Sequence, residues 1–314
     1  MAQTADPAPR LTLTDLQGAR ARHRRERMMR GLFFSAALLA VVISVAIVAS
    51  LAGGALEFLR RVDLNTLWSR GWFPRRNLFD VKTIFVGTLM VSVIALLVAA
   101  PLGLGAALYL SEYASRRSRR FLKPILETLA SVPSVVMAFF ALRFISPEVI
   151  QRLFGTDVPI FNIATAGVAV GILVTPLVAS VAEDAMYAVP NSLREASVGL
   201  GARRRTTSIR VVMPAAVSGI TAALILGVSR AIGETMIVAI VAGGTGGSLF
   251  SLDPLKGGQT MTAAITALAT GSDQVRGSGP AYQSLFFVGL LLFLLTLALN
   301  LGAERFVRRV RRQY

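Results

Sequence analysis

Residues 195 to 214 read EASVGLGARRRTTSIRVVMP, a polar, arginine-rich stretch set between two long apolar runs. Gly201 suits a sharp turn of the backbone, and Pro214 suits a helix start. Taken alone, the stretch is an amphipathic surface loop. Its surroundings give it meaning: 54% of the chain is hydrophobic, the mean hydropathy is +0.62, and the apolar runs are long enough to cross a bilayer of roughly 30 Å. The composition predicts an all-α polytopic membrane helical bundle with six transmembrane helices, at about 32–59, 83–110, 121–144, 160–187, 214–242 and 282–304. The first is expected to be retained rather than cleaved, because its apolar stretch is too long for a signal peptide.

A net charge of +16 in a soluble protein would suggest nucleic acid, but here the position of the charges decides. Of the 33 Lys and Arg, 7 precede the first span, 5 lie in 112–124, 5 in 188–213 and 5 after 304, against 6 in 60–82, 2 near 143–159 and 2 in 243–281, with Arg230 within a span. The positive-inside rule then predicts that both termini and the 195–214 loop are cytoplasmic. The basic tails RARHRRERMMR and RFVRRVRRQY are expected to meet anionic membrane lipid, and no nucleic acid partner is expected. The domain division follows: 1–30 a basic cytoplasmic tail, 31–82 the first transmembrane helix with its outer loop, and 83–314 the main helical core. In that outer loop Trp68, Trp72 and Phe73 suit the membrane interface.

Cysteine is absent and the only histidine is His23, which excludes thiol chemistry and a His/Cys metal site. Carboxylates alone could still hold Mg or Ca, but the only adjacent pair is Glu183 and Asp184, and a solvated helix end explains it as well. The glycine-rich phosphate-binding loop of ATPases is missing, since Val81 stands where Lys82 would need a preceding Gly. No cofactor is expected and the chain is not expected to be an enzyme; energy from ATP has to come from another chain. Pro101, Pro133 and Pro176 are expected to break helical ladders within the bundle. Gly103, Gly105, Gly167 and Gly171 are expected to allow close helix approach. The long 243–281 connection is expected to form a short re-entrant or gating element.

SRAIGETM, 229 to 236, places Arg230 and Glu234 one helical turn apart, roughly 24 Å of helix beyond Pro214. A membrane-embedded arginine is costly and marks a partner or a path by default. Its guanidinium fork matches tetrahedral oxyanions bidentately, with Glu234 holding it oriented; the bland alternative is a self-neutralising i, i+4 pair. Gly227 and Gly233 are expected to leave room for an anion or a helix.

Glu195, Ala196, Ser197, Gly201 and Pro214 resemble the EAA loop of ABC importer permeases. The resemblance implies a MetI-like permease fold in which this loop is a cytoplasmic elbow of two short helices, docked on a separate ATPase. RAIGETM, VPSVV at 132–136 and WFP…LF before the second span resemble the phosphate-specific transport family, in its PstC-like branch. That resemblance implies a substrate path through Arg230, Glu234 and the adjoining Thr235, and alternating-access import of inorganic phosphate across the bacterial inner membrane. The implied partners are a homologous PstA-like permease, a PstB-like ATPase dimer and a PstS-like extracytoplasmic phosphate-binding protein. The alternatives are a permease for molybdate, sulfate or phosphonate, and a passive anion channel, which would account for Arg230 but not for the EAA loop.

Overall fold

The computed structural model describes residues 20–244, 246–271 and 279–310; most of the expected N-terminal tail lies outside them. The chain divides into two units, Met1–Ser50 and Leu51–Tyr314. In the first, the part of helix α1 (Arg20–Arg61) up to Ser50 presents exposed Phe33, Leu39 and Val45 all round its surface, as a lipid-facing helix does.

The second unit is built around the packing of α2 (Val81–Leu108) on α5 (Ile163–Tyr187), which share the main core with Val91, Ala95, Ala169, Val170 and Val178 all buried. Small residues bring the two helices together. A Cβ on Gly167 would sit 2.6 Å from Ile94 Cβ, and one on Gly171 would meet Val98 Cβ at 2.7 Å. Gly103 faces Val178 in the same way, whereas Gly105 has nothing within 4 Å and plays no packing part. Neither Pro101 nor Pro176 interrupts its helix. Only Pro133 acts as predicted, standing as the N-cap of the next helix.

That helix corrects the expected third span. Residues 116–129 form a separate amphipathic helix, α3 (Arg116–Leu129), and the apolar crossing segment is Ser134–Phe154, beginning as α4 (Ser134–Phe140) and widening into a π-helix over Ala141–Gln151. The expected fifth span is also broken. Arg204–Ala215 and Val217–Ile232 meet at a bend of 72°, so Pro214 lies just before a corner rather than at the start of the crossing helix.

A second core gathers Phe58, Trp72, Phe79, Ile84, Met261 and Val288 at one end of this unit. Trp72–Phe73 (β1) and Leu78–Phe79 (β2) form a small antiparallel hairpin. Trp72 also exchanges backbone hydrogen bonds with Ser248, at 2.8 and 3.0 Å. Trp72 is therefore wholly buried against the edge of Phe79, not an interface anchor; Trp68 remains exposed. The long connection after residue 243 folds inward and carries a short helix, Met261–Ala269, with Met261 and Ala264 fully buried.

The same connection comes so close to α2 that a Cβ on Gly87 would lie 2.3 Å from the Gln259 carbonyl oxygen. Backbone cannot swing aside as a flexible side chain can. Gly87→Ala is expected to destabilise the purified complex by about 1–3 kcal/mol, as overpacking does, seen as a lower thermal midpoint in detergent. Gly105→Ala should leave that midpoint unchanged.

Candidate functional site

α8 (Val217–Ile232) stops at Gly233, whose N–H donates to Ser229 O at 3.2 Å. After a three-residue break the chain resumes as α9 (Met236–Val241). The predicted Arg230 and Glu234 do come together, with Nη2 3.8 Å from Oε2, but across this break and not along one continuous helix. Their surroundings differ sharply: the Arg230 side chain is 55% exposed and that of Glu234 only 4%. Oε1 of Glu234 accepts a long hydrogen bond from Ile237 N–H at 3.4 Å, at the amino end of α9 where the helix dipole favours a carboxylate. Thr235, half-buried, donates from its hydroxyl to Gly233 O at 3.2 Å. The geometry is a fixed carboxylate holding a guanidinium that keeps most of its donors free. Gly233 is open, whereas the space at Gly227 is filled by Val178 and Val174 of α5.

Sequence reasoning missed what holds the break open. Thr262, in α10 (Met261–Ala269), donates to the backbone carbonyl of Glu234 at 2.8 Å. Met261 N–H donates to Thr88 Oγ1 of α2 at 2.9 Å. α10 thus ties α2 to the α8–α9 break. Beside it Gln259 is 1% exposed, and neither atom of its amide has a protein hydrogen-bond partner. A second omission is Arg143, counted above only among the charges near 143–159: it lies within Ser134–Phe154, exposed and without a carboxylate at ion-pair distance among the described residues.

At the other end of the unit, α6 (Asn191–Gly199) and α7 (Arg204–Thr207) form an elbow. Gly201 turns it with φ +79°. Its N–H donates to Val198 O at 2.8 Å and that of Ala202 to Ser197 O at 3.1 Å, the double bond pattern that closes a helix on a left-handed glycine. Glu195 and Ala196 are exposed on α6, as is Leu200, at 90%, on the turn. Ser197 does more than stay small: its Oγ lies 2.9 Å from Thr207 Oγ1 and joins the two arms. The sequence therefore brings Glu195, Ala196, Ser197 and Gly201 into one exposed corner, with Pro214 at the far end of the second arm.

One ion pair on a buried carboxylate attaches this corner to the helices above it, and a second cluster ties α5 to α3 beside it. Arg194 bonds Glu112, just beyond the end of α2, with Nη2 2.9 Å from Oε1; it also donates to the carbonyls of Met186, in the last turn of α5, and of Val189, just after it. Glu183, expected to be solvated, is fully buried and clamped between Arg119 and Lys123 of α3. Burial works against the Lys123 charge, but hydrogen bonds to Asp184 and Glu183 outweigh it and hold the pKa above the ordinary lysine value. The clamp's contribution is complete below that ordinary value, about 10.4, and is lost as pH rises through the raised folded value.

The family of binding-protein-dependent transport system inner membrane components matches residues 99–312. The phosphate transport system permease protein PstC of Pasteurella multocida (strain Pm70) is 30% identical over 282 residues, covering 83% of this chain and 84% of that protein. Among solved structures, a bacterial ABC transporter involved in import of the acidic polysaccharide alginate superposes with TM-score 0.64 at 16% identity, over 92% of this chain and 100% of the other. The inward-facing MetNI methionine ABC transporter superposes with TM-score 0.55 at 18% identity, over 72% and 94%. The all-α permease fold anticipated from the apolar runs is thus shared with importers of unrelated cargo. With its apolar helices, its elbow and this match over most of its length, the chain belongs to the family of binding-protein-dependent transport system inner membrane components: it is a multi-pass permease subunit of an ABC importer.

Proposed function

We propose that this permease carries inorganic phosphate, with residues 83–314 as its core and Arg230, Glu234 and Thr235 in the translocation path. The observation that carries the reading is the exposed Arg230 guanidinium held by a buried carboxylate at a helix break, in a chain 30% identical to a phosphate permease. A bidentate guanidinium suits a tetrahedral oxyanion. Glu234 draws off part of its charge, so that the anion is not held too tightly to leave. The chain is not an enzyme; ATP is hydrolysed by a separate subunit. Its partners are a homologous PstA-like permease, a PstB-like ATPase dimer and a PstS-like phosphate-binding protein. Selectivity tests the cargo: unlabelled arsenate should compete with radiolabelled phosphate in cells dependent on this chain, and sulfate and molybdate should not. Uptake inhibited equally by sulfate would transfer the assignment to another oxyanion.

In this reading the elbow residues Glu195, Ala196, Ser197, Gly201 and Pro214 face the ATPase from the cytoplasm, and both termini lie on that side. Because Gly201 sits at positive φ, Gly201→Val forces a β-branched residue into a conformation that costs about 1–3 kcal/mol. The variant should insert normally yet lose most ATPase association and uptake. Normal uptake would remove the elbow from the coupling role.

Orientation is tested by cysteines placed in a chain that has none. Asn65 and Leu200 are both exposed. In cells lacking the ATPase, Asn65→Cys should react with a membrane-impermeant thiol reagent added outside the inner membrane. Leu200→Cys should react only after permeabilisation; the opposite pattern would invert the topology.

A further inference from the structure

Behind the elbow lies a cleft of about 800 Å³ between α3, the ends of α2 and α5, and both elbow helices. Four arginines line it, Arg116, Arg119, Arg194 and Arg204, against one carboxylate, Glu112. Arg194 already satisfies that carboxylate, and Arg119 reaches out of the cleft to Glu183. Arg116 and Arg204 have no carboxylate at ion-pair distance among the described residues.

The arrangement breaks an electrostatic rule twice. The amino end of a helix is positive and favours acidic side chains. Yet the first turn of α3 holds no acid and begins Arg116-Arg117-Ser118-Arg119. The first turn of the second elbow arm likewise holds no acid and begins Arg204-Arg205. Both positive ends, each loaded with cations, open on the same cleft. Nε of Arg119 is buried without a hydrogen-bond partner, although the same guanidinium is paired with Glu183. Two tyrosines brace the cations, with Arg119 Cζ 3.6 Å from the Tyr187 ring centroid and Arg204 Cζ 5.3 Å from that of Tyr113. Local rules broken together at one place mark a functional site, and what relieves this one is a multivalent anion.

We infer that this cleft is an anion site for a phosphate group, supplied either by an anionic phospholipid headgroup or by free inorganic phosphate, and that the bound group bridges Arg116 on α3 to Arg204 on the elbow. The site is separate from Arg230 and does not depend on what the permease transports. A phosphate there joins the α3 clamp to the second arm of the elbow, so its occupancy stiffens the segment that meets the ATPase.

The test uses the permease–ATPase complex in nanodiscs of phosphatidylcholine, of phosphatidylcholine with phosphatidylglycerol, and of phosphatidylcholine with millimolar inorganic phosphate in the buffer. Thermal midpoint and ATPase rate are read in each. Wild type should gain stability from at least one phosphate source; a response to phosphatidylglycerol alone identifies the headgroup, and a response to inorganic phosphate identifies the free anion. The double variant Arg116→Gln with Arg204→Gln should need about tenfold more ligand for each arginine removed. In pure phosphatidylcholine the same variant should be at least as stable as wild type, because like-charge crowding is relieved. In an Arg230→Gln background the Arg116 and Arg204 replacements should weaken the stabilisation by the same factor, which separates this site from the transport path. Four results overturn the inference: no response to either source, an undiminished response in the double variant, lower ligand-free stability of that variant, or a response by the permease pair that disappears once the ATPase is bound.

Discussion

Arg230→Gln is expected to lower phosphate uptake by about ten- to a hundredfold while the complex still assembles. The side chain is more than half exposed and packs little, so its loss leaves no cavity. What disappears is a charge-assisted contact to the anion, of about 1.5–3 kcal/mol, and each 1.4 kcal/mol is about a factor of ten. Arg230→Lys keeps the charge without the fork and should retain partial transport if charge dominates. Glu234 is less forgiving. Glu234→Gln keeps an acceptor for Ile237 N–H but frees Arg230 to hold the anion, and is expected to slow release more than entry. The charge-swapped pair Arg230→Glu with Glu234→Arg should fail, since it buries a cation at the positive end of α9. Near-normal uptake by the swapped pair would reduce the two residues to a neutralising pair. Assembly is checked by copurification of the ATPase and uptake by radiolabelled phosphate.

Arg194→Ala is the second large effect. It strands the Glu112 carboxylate, whose side chain is 6% exposed, and breaking a buried pair on one side costs about 3–5 kcal/mol. It also removes a donor from the carbonyls of Met186 and Val189. The thermal midpoint should fall markedly, and the elbow should lose its attachment to α2. Replacing both partners with apolar residues, Arg194→Met with Glu112→Leu, should recover most of the stability. If the pair transmits elbow movement to the helices, the recovered double variant still hydrolyses ATP but transports poorly. Full transport by that variant would make the pair a structural fastening only.

How much of this was legible in the chain depended on the range of the interaction. The apolar runs announced α2, α5 and the last helix because burial and length are local properties. The Gly201 turn was legible too, since it needs one residue type at one position. The third span was misplaced because α3 carries Phe121, Leu122, Ile125, Leu126 and Leu129 at helical spacing, an apolar stripe that counts like part of a crossing helix although the opposite face is arginine-rich. The break after Ile232 had no proline to signal it; Thr262 supports it from 28 residues away. Arg194 and Glu112 are 82 residues apart, and neither reads as one of a pair. Trp72 looked like an interface residue because nothing nearby in sequence names Ser248 as its partner.

The most direct measurement is phosphate accumulation in proteoliposomes containing this chain with its permease partner and ATPase, given the phosphate-binding protein on the side opposite the elbow. Accumulation against a gradient should require ATP and the binding protein together, and should stop when the ATPase is catalytically inactive. Phosphate flux that runs downhill at the same rate without ATP would contradict a coupled importer and point to a channel.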